Sequence, residues 1–207
     1  MTDLVLPDLV LGDDGELRCA WAGSGEMRAY HDTEWGRFPE TGSSADVVLF
    51  ERLTLEAFQS GLSWAIILRK REGFRRAFAG FDPYRVATFG EPEREALLAD
   101  TGIVRNRAKI DATIANARAL LAFRDSEGPG EFARFVASFA PPPRPAPTSY
   151  AEVPGQTPES LALSKALKKR GFTFVGPTTM YALMQALGMV NDHLEGCVAR
   201  EPRESVA

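Results

Sequence analysis

Apolar side chains in this chain recur at helical spacing in one segment after another, and sustained alternation of apolar and polar residues is absent, which points to an all-α fold. Between residues 46 and 60, Leu49, Phe50, Leu53 and Ala57 form a stripe, with Leu55 and Phe58 on the other side, so this helix is expected to be buried all round. Gly61-Leu62-Ser63 interrupts the pattern, and Ser63 stands where it can cap a second helix to about Arg71. Residues 91–100 read as a helix with Pro92 in its first turn and Gly102 just past its end. Asn106 can cap a longer helix to about Arg124, with Ile110, Ile114, Ala117 and Leu121 on one face. Further helices are expected at 129–139, 159–170 and 177–187. The short link from Asp100 to Arg105 gives a helix–hairpin–helix shape whose second helix opens with free backbone N–H groups, a seat for a phosphate. An ordinary helical hairpin would read the same way.

The 207 residues suffice for one domain with a substantial core, expected over 17–200. Residues 140–158 hold seven of the fourteen prolines and read as an extended connector inside it. The acidic opening, residues 1–16, reads as a frayed tail rather than a secretory signal, and 201–207 as a second tail. No stretch approaches the roughly 18 consecutive apolar residues of a membrane span. A cytoplasmic monomer without membrane contact is expected. A net charge of −4 excludes a strongly basic nucleic-acid coat. Basic residues nevertheless cluster at Arg69–Arg71 with Arg75 and Arg76, at Arg105–Lys109 and at Lys165–Arg170. These runs are either solvated faces or one positive face that meets phosphates.

The chain has two cysteines and two histidines, one of each near either end: Cys19 with His31, and His193 with Cys197 four residues on. Four such ligands would close a structural zinc site and tie the two ends together. A Cys19–Cys197 disulfide, disfavoured in a reducing compartment, and four unrelated residues both fit the spacing as well.

Glu56 falls within the apolar stripe of its helix. An ionised carboxylate there is costly unless it is bonded to internal N–H groups, paired with an arginine or kept for a ligand. Trp21, Tyr30, Trp35 and Trp64 lie around it in sequence. Such aromatics serve as core, or as a site that sandwiches a flat base.

Several longer segments then carry a specific resemblance: RCAW (18–21), AYHDTEWG (29–36), LTLEAFQSGLSW (53–64), LRKRE (68–72), GIVRNRAKI (102–110), SKALKKRGFTFVG (164–176) and MVNDHLEGC (189–197). From about Leu17 to Ala199 the chain resembles the bacterial DNA-3-methyladenine glycosylase I family. The resemblance implies a helix–hairpin–helix glycosylase fold with a structural Zn²⁺ on Cys19, His31, His193 and Cys197. It implies double-stranded DNA with alkylated bases as partner, and hydrolysis of the N-glycosidic bond of 3-methyladenine without strand cleavage. The base-recognising carboxylate maps onto Glu56, and the stacking aromatics map onto Tyr30 and Trp64. Trp21 falls at another pocket position. Gly61-Leu62 corresponds to the tip that probes the gap left by a flipped base, and Gly102, Arg105, Lys109, Lys168 and Lys169 are expected to grip the DNA backbone. Met27 stands where a second tyrosine is common, and is expected to line the pocket. A non-catalytic binder of alkylated bases, or a glycosylase for another base, would use the same pocket.

Overall fold

The computed structural model describes residues 8–40 and 42–200; residues 1–7 of the tail expected at 1–16, and the whole of the tail expected at 201–207, lie outside the described residues. Helix formation follows the apolar spacing. The central helix, α2 (Ser43–Gln59), buries Leu49, Phe50, Leu53, Leu55 and Phe58 on all sides, as its pattern requires. The next helix, α3 (Trp64–Ala77), outruns its expected end at Arg71 because Phe74 and then Phe78 continue the buried stripe. Phe74 packs on Phe58 with ring centroids 4.7 Å apart. Ser63 does occupy the N-cap position of α3, but its side chain makes no capping bond.

A single-turn helix, α4 (Pro83–Ala87), is too short to show a period in sequence; the Asp82 carboxylate accepts from Tyr84 N at 2.9 Å and caps it. Helices α5 (Glu91–Ala99) and α6 (Arg107–Glu127) form the expected hairpin, with Asn106 Oδ1 accepting from Lys109 N at 3.1 Å. The hairpin turn rests on α3. Lys70 Nζ donates to Thr101 O at 2.6 Å, and a Cβ on Gly73 would sit 2.3 Å from Gly102 O, so only glycine permits this approach. Helix α7 (Glu131–Ala137) is held by the buried Asp46 of α2, which accepts from Gly130 N at 2.8 Å. Helices α8 (Pro158–Lys169) and α9 (Pro177–Ala186) follow, their connecting turn fixed by the Asn116 amide, which exchanges bonds of 2.7 and 3.1 Å with the Thr173 backbone.

The N-terminal region departs from expectation. Residues 9–16 are no frayed tail: β1 (Leu9–Leu11) pairs antiparallel with β2 (Leu17–Cys19), Val10 opposite Arg18. The hairpin is fixed by Arg18, only 2 % exposed, between Asp14 at 2.8 Å and Asp32 at 2.9 Å. A short polar helix, α1 (Gly25–Thr33), follows and shows no apolar stripe in sequence. The far end of the chain folds back onto this region. Val198 N donates to Leu17 O at 2.9 Å, and Gly188, at φ +68°, lies so close to Gly36 that a Cβ would come within 2.1 Å of its carbonyl oxygen. The proline-rich segment 140–158 is extended but pinned across this junction, through Glu195 N to Pro147 O at 2.9 Å and Tyr150 N to Asp8 Oδ2 at 2.9 Å. Among the described residues no helix is long and apolar enough to cross a membrane.

Candidate active site and metal centre

The junction of the two ends brings Cys19, His31, His193 and Cys197 together, all buried, with one ligand atom from each within 4.8 Å of the others. His31 Nε2 lies 3.1 Å from His193 Nδ1 and 3.4 Å from Cys197 Sγ, and the last pair is 3.6 Å apart. A tetrahedral ion bound at about 2.0–2.3 Å needs ligands about 3.3–3.8 Å from each other; the three separations among His31, His193 and Cys197 lie near that span, and two thiols with two imidazoles are a donor set that suits a metal. The outer contacts fit as well. His31 Nδ1 faces Asp32 Oδ1 at 2.8 Å, and Arg18 holds that carboxylate, which turns Nε2 towards the cluster. Both cysteines are free thiols, so the disulfide alternative is not formed. The neighbours follow from chain geometry: β2 carries Cys19, α1 carries His31, and the tight turn at Gly196 returns Cys197 beside His193.

Next to this centre is a cavity of about 280 Å³, near the lower size of small-molecule pockets, about 300 Å³. Its walls include Trp21, Tyr30, Trp35, Glu56 and Trp64. Tyr30 and Trp64 have ring centroids 5.3 Å apart, while Trp21 meets both His31 and Trp35 edge-on at 5.1 Å. The aromatic wall is therefore continuous with the metal centre. Glu56 is 6 % exposed and accepts no hydrogen bond from any described residue. Burial pushes its carboxyl up to about 8 against the pull of the Arg52 guanidinium. Arg52 does not reach it, because its Nη1 donates to the carbonyls of Arg37 and Ala186 at 2.7 and 2.9 Å. Burial, and then Glu56 itself, hold the Tyr30 phenol well above its ordinary range, so it stays a neutral hydroxyl. Trp64 Nε1 and the Tyr150 hydroxyl are enclosed without a hydrogen-bond partner among the described residues. The site can thus hold a flat, cationic ring: aromatic faces on its sides and an unpaired acid at its edge.

The structure brings Trp21, Tyr30, Glu56 and Trp64 to one cavity, but Met27 is not among its lining residues. Met27 sits one turn before Tyr30 on α1 and is half-buried elsewhere on that helix. Lys109 is also reassigned. It is 8 % exposed, and its ammonium donates to Phe58 O at 3.0 Å and Ser60 O at 2.7 Å, closing the C-terminal end of α2. Its charge is committed inside the protein, and burial lowers its pKa, so it is no free contact for phosphate. Gly61, at φ +84°, forms the exposed tip, and Leu62 beside it packs partly on the core. Arg105, Lys168 and Lys169 are exposed, and Gly102 is half-buried at the hairpin turn.

Sequence reasoning left out Gln59, Tyr150, Gln185 and Asp192, which line the same cavity, and did not assign Trp35 to it. Gln59 carried a signal, standing three residues after Glu56 on one helix face. Its Nε2 donates to Leu62 O at 2.8 Å and braces the tip. Tyr150, Gln185 and Asp192 come from distant elements and carry no local signal.

A family model described as methyladenine glycosylase matches residues 21–201. DNA-3-methyladenine glycosylase 1 of Escherichia coli (strain K12) is 49 % identical over 183 residues, 87 % of this chain and 95 % of that protein. DNA-3-methyladenine glycosylase of Haemophilus influenzae is 45 % identical over 185 residues, 87 % of this chain and 96 % of that one. A crystal structure of 3-methyladenine DNA glycosylase I matches with a TM-score of 0.81 at 49 % identity, covering 87 % of this chain and 98 % of that one. The enzyme from Staphylococcus aureus, whose structure concerns 3-methyladenine recognition, matches with a TM-score of 0.79 at 30 % identity, covering 87 % and 94 %.

Proposed function

This chain belongs to the methyladenine glycosylase family, and from that premise we propose that it is a DNA-repair enzyme that hydrolyses the N-glycosidic bond of 3-methyladenine in alkylated DNA. The observation that carries this reading is Glu56, an enclosed acid with no hydrogen-bond donor among the described residues, facing a cavity walled by Tyr30 and Trp64.

Adenine methylated at its third ring nitrogen is cationic while attached to the sugar, which weakens the glycosidic bond and removes the need for a strong acid. The base is rotated out of the stack to reach the cavity. Tyr30 and Trp64 hold the flat cation by stacking and cation–π attraction. Glu56, ionised beside that cation, accepts from its N–H edge. Water adds to the sugar carbon and loses a proton to solvent, the carbon–nitrogen bond breaks with its electron pair passing to the ring, and the base leaves neutral. Ordinary adenine carries no such charge and gains little from the field of Glu56, so discrimination rests on charge more than on size.

Gly61-Leu62 probes the space vacated by the base, and the N-terminal N–H groups of α6, with Arg105, Lys168 and Lys169, position the phosphate backbone without reading sequence. The ion that suits two thiolates and two imidazoles is zinc, held by Cys19, His31, His193 and Cys197. With four protein ligands it supplies structural cross-linking and no chemistry at the sugar.

The test is release of free base and formation of abasic sites when the protein is incubated with methylated duplex DNA. Release of 3-methyladenine is expected, and its loss, by at least tenfold in single-turnover rate, in Glu56→Gln. Full activity in that variant would refute the role of Glu56.

A further inference from the structure

Gln185 of α9 reaches the cavity that Glu56 faces. Its amide is not free to turn. Nε2 donates to Asp192 Oδ2 at 2.9 Å, the same oxygen accepts the Tyr181 hydroxyl at 2.6 Å, and Oδ1 is held by the Arg144 guanidinium. A carboxylate paired with a guanidinium can only accept, so the amide nitrogen must face Asp192 and the carbonyl oxygen must turn away from it. That oxygen has no hydrogen-bond partner among the described residues.

We propose, resting on the glycosylase reading above, that Gln185 Oε1 is a second acceptor for the flipped base and selects adenine over guanine among 3-methylated purines. The exocyclic amine of adenine carries two N–H groups, one for Glu56 and one for Gln185. Guanine carries a carbonyl oxygen at that ring position, which would set acceptor against acceptor. Both 3-methylated nucleosides are cations, so charge alone does not separate them; the acceptors at that position do, and Gln185, whose amide cannot flip, adds a second one to Glu56. Asp192 is the positioning residue acting through Gln185, and Arg144, from the proline-rich segment, neutralises its charge.

Single-turnover excision of 3-methyladenine and of 3-methylguanine from methylated duplex DNA tests this with the full chain. Gln185→Met keeps length and removes the acceptor. The preference for 3-methyladenine is expected to fall about tenfold, the effect of one hydrogen bond, through a slower 3-methyladenine rate and, with the opposing acceptor gone, a faster 3-methylguanine rate. Asp192→Asn, which frees the amide to flip, is expected to lower the preference part of the way with little change in the affinity for DNA. An unchanged preference in a Gln185→Met protein that melts cooperatively overturns the role of Gln185 alone, whereas release of neither base by the wild-type chain overturns the glycosylase reading with it. A measurement on the wild-type chain is independent of how the variants fold. Free 3-methyladenine is expected to shift the Gln185 side-chain amide resonance in ¹⁵N-labelled protein and free 3-methylguanine to leave it in place; no shift with 3-methyladenine overturns the proposal.

Discussion

With its carboxyl raised by burial to about 8, Glu56 keeps its proton at neutral pH until a cation sits beside it. Binding a cationic base then releases that proton, so excision at low DNA concentration is expected to rise with pH up to about 8 and level off above. A pH–rate series checks this, and Glu56→Gln should flatten it. Stability moves the other way. A folded-state pKa above the unfolded one means that the bound proton stabilises the fold fully below about 4.5 and that this contribution is lost as pH rises through about 8. Glu56→Gln is therefore expected to melt progressively higher than wild type across that window, by several degrees at pH 8. Equal melting temperatures at pH 8 would show that the carboxylate is not enclosed. Lys109 gives a second contrast at this scale. Lys109→Met leaves the Phe58 and Ser60 carbonyls unpaired and is expected to cost about 1–3 kcal/mol in denaturant unfolding. The salt dependence of DNA binding should stay unchanged, whereas Arg105→Ala should lower the salt slope by about one.

Among the elements, α3 and the α5–α6 hairpin act as one unit because Gly73 lets the two backbones touch. A methyl group at Gly73 would lie 2.3 Å from Gly102 O, and backbone on both sides leaves it nowhere to go. Gly73→Ala is expected to push the hairpin outward, weakening duplex binding by an order of magnitude or more in a titration. Binding of free 3-methyladenine, read by quenching of the fluorescence of the cavity tryptophans, should be kept. Parallel loss of both would mean that the displacement reaches the cavity. The proline-rich segment also has a defined place: it delivers Arg144 to Asp192 and Tyr150 to the gap between cavity and cysteines, so its extended form builds a wall.

Across the whole molecule, closure of the chain on itself decides stability. Cys19 and His31 are joined to His193 and Cys197 through a loop that contains nearly all the helices, and few direct bonds, such as Val198 N to Leu17 O, reinforce the junction. Because ligands gathered only in the folded state make binding energy into folding energy, removal of the zinc proposed for this cluster is expected to lower the melting temperature by about 10 °C or more. Thermal unfolding after chelation, with metal content measured alongside, checks this, and an unchanged transition in ion-free protein would remove the structural role. The same junction carries the Trp21–His31 contact into the aromatic wall, so loss of the ion should also loosen the cavity.

What could be known from the chain alone is what depends on neighbours in sequence or on an unusual inventory. The burial of α2 follows from apolar residues on every side of one helix, the α6 cap from Asn106 beside its own first turn, and the four candidate ligands from the absence of any other cysteine or histidine, though not that they meet. Glu56 stood out because an acid inside an apolar stripe conflicts with its surroundings. Only the tertiary structure decided that no donor among the described residues answers that acid, that Lys109 turns inward to cap α2, and that Asp192 fixes the amide of Gln185. Those outcomes are set by distances between helices far apart in the chain, where hydrogen-bond direction and desolvation act over a few ångströms and leave no periodic trace in the order of residues.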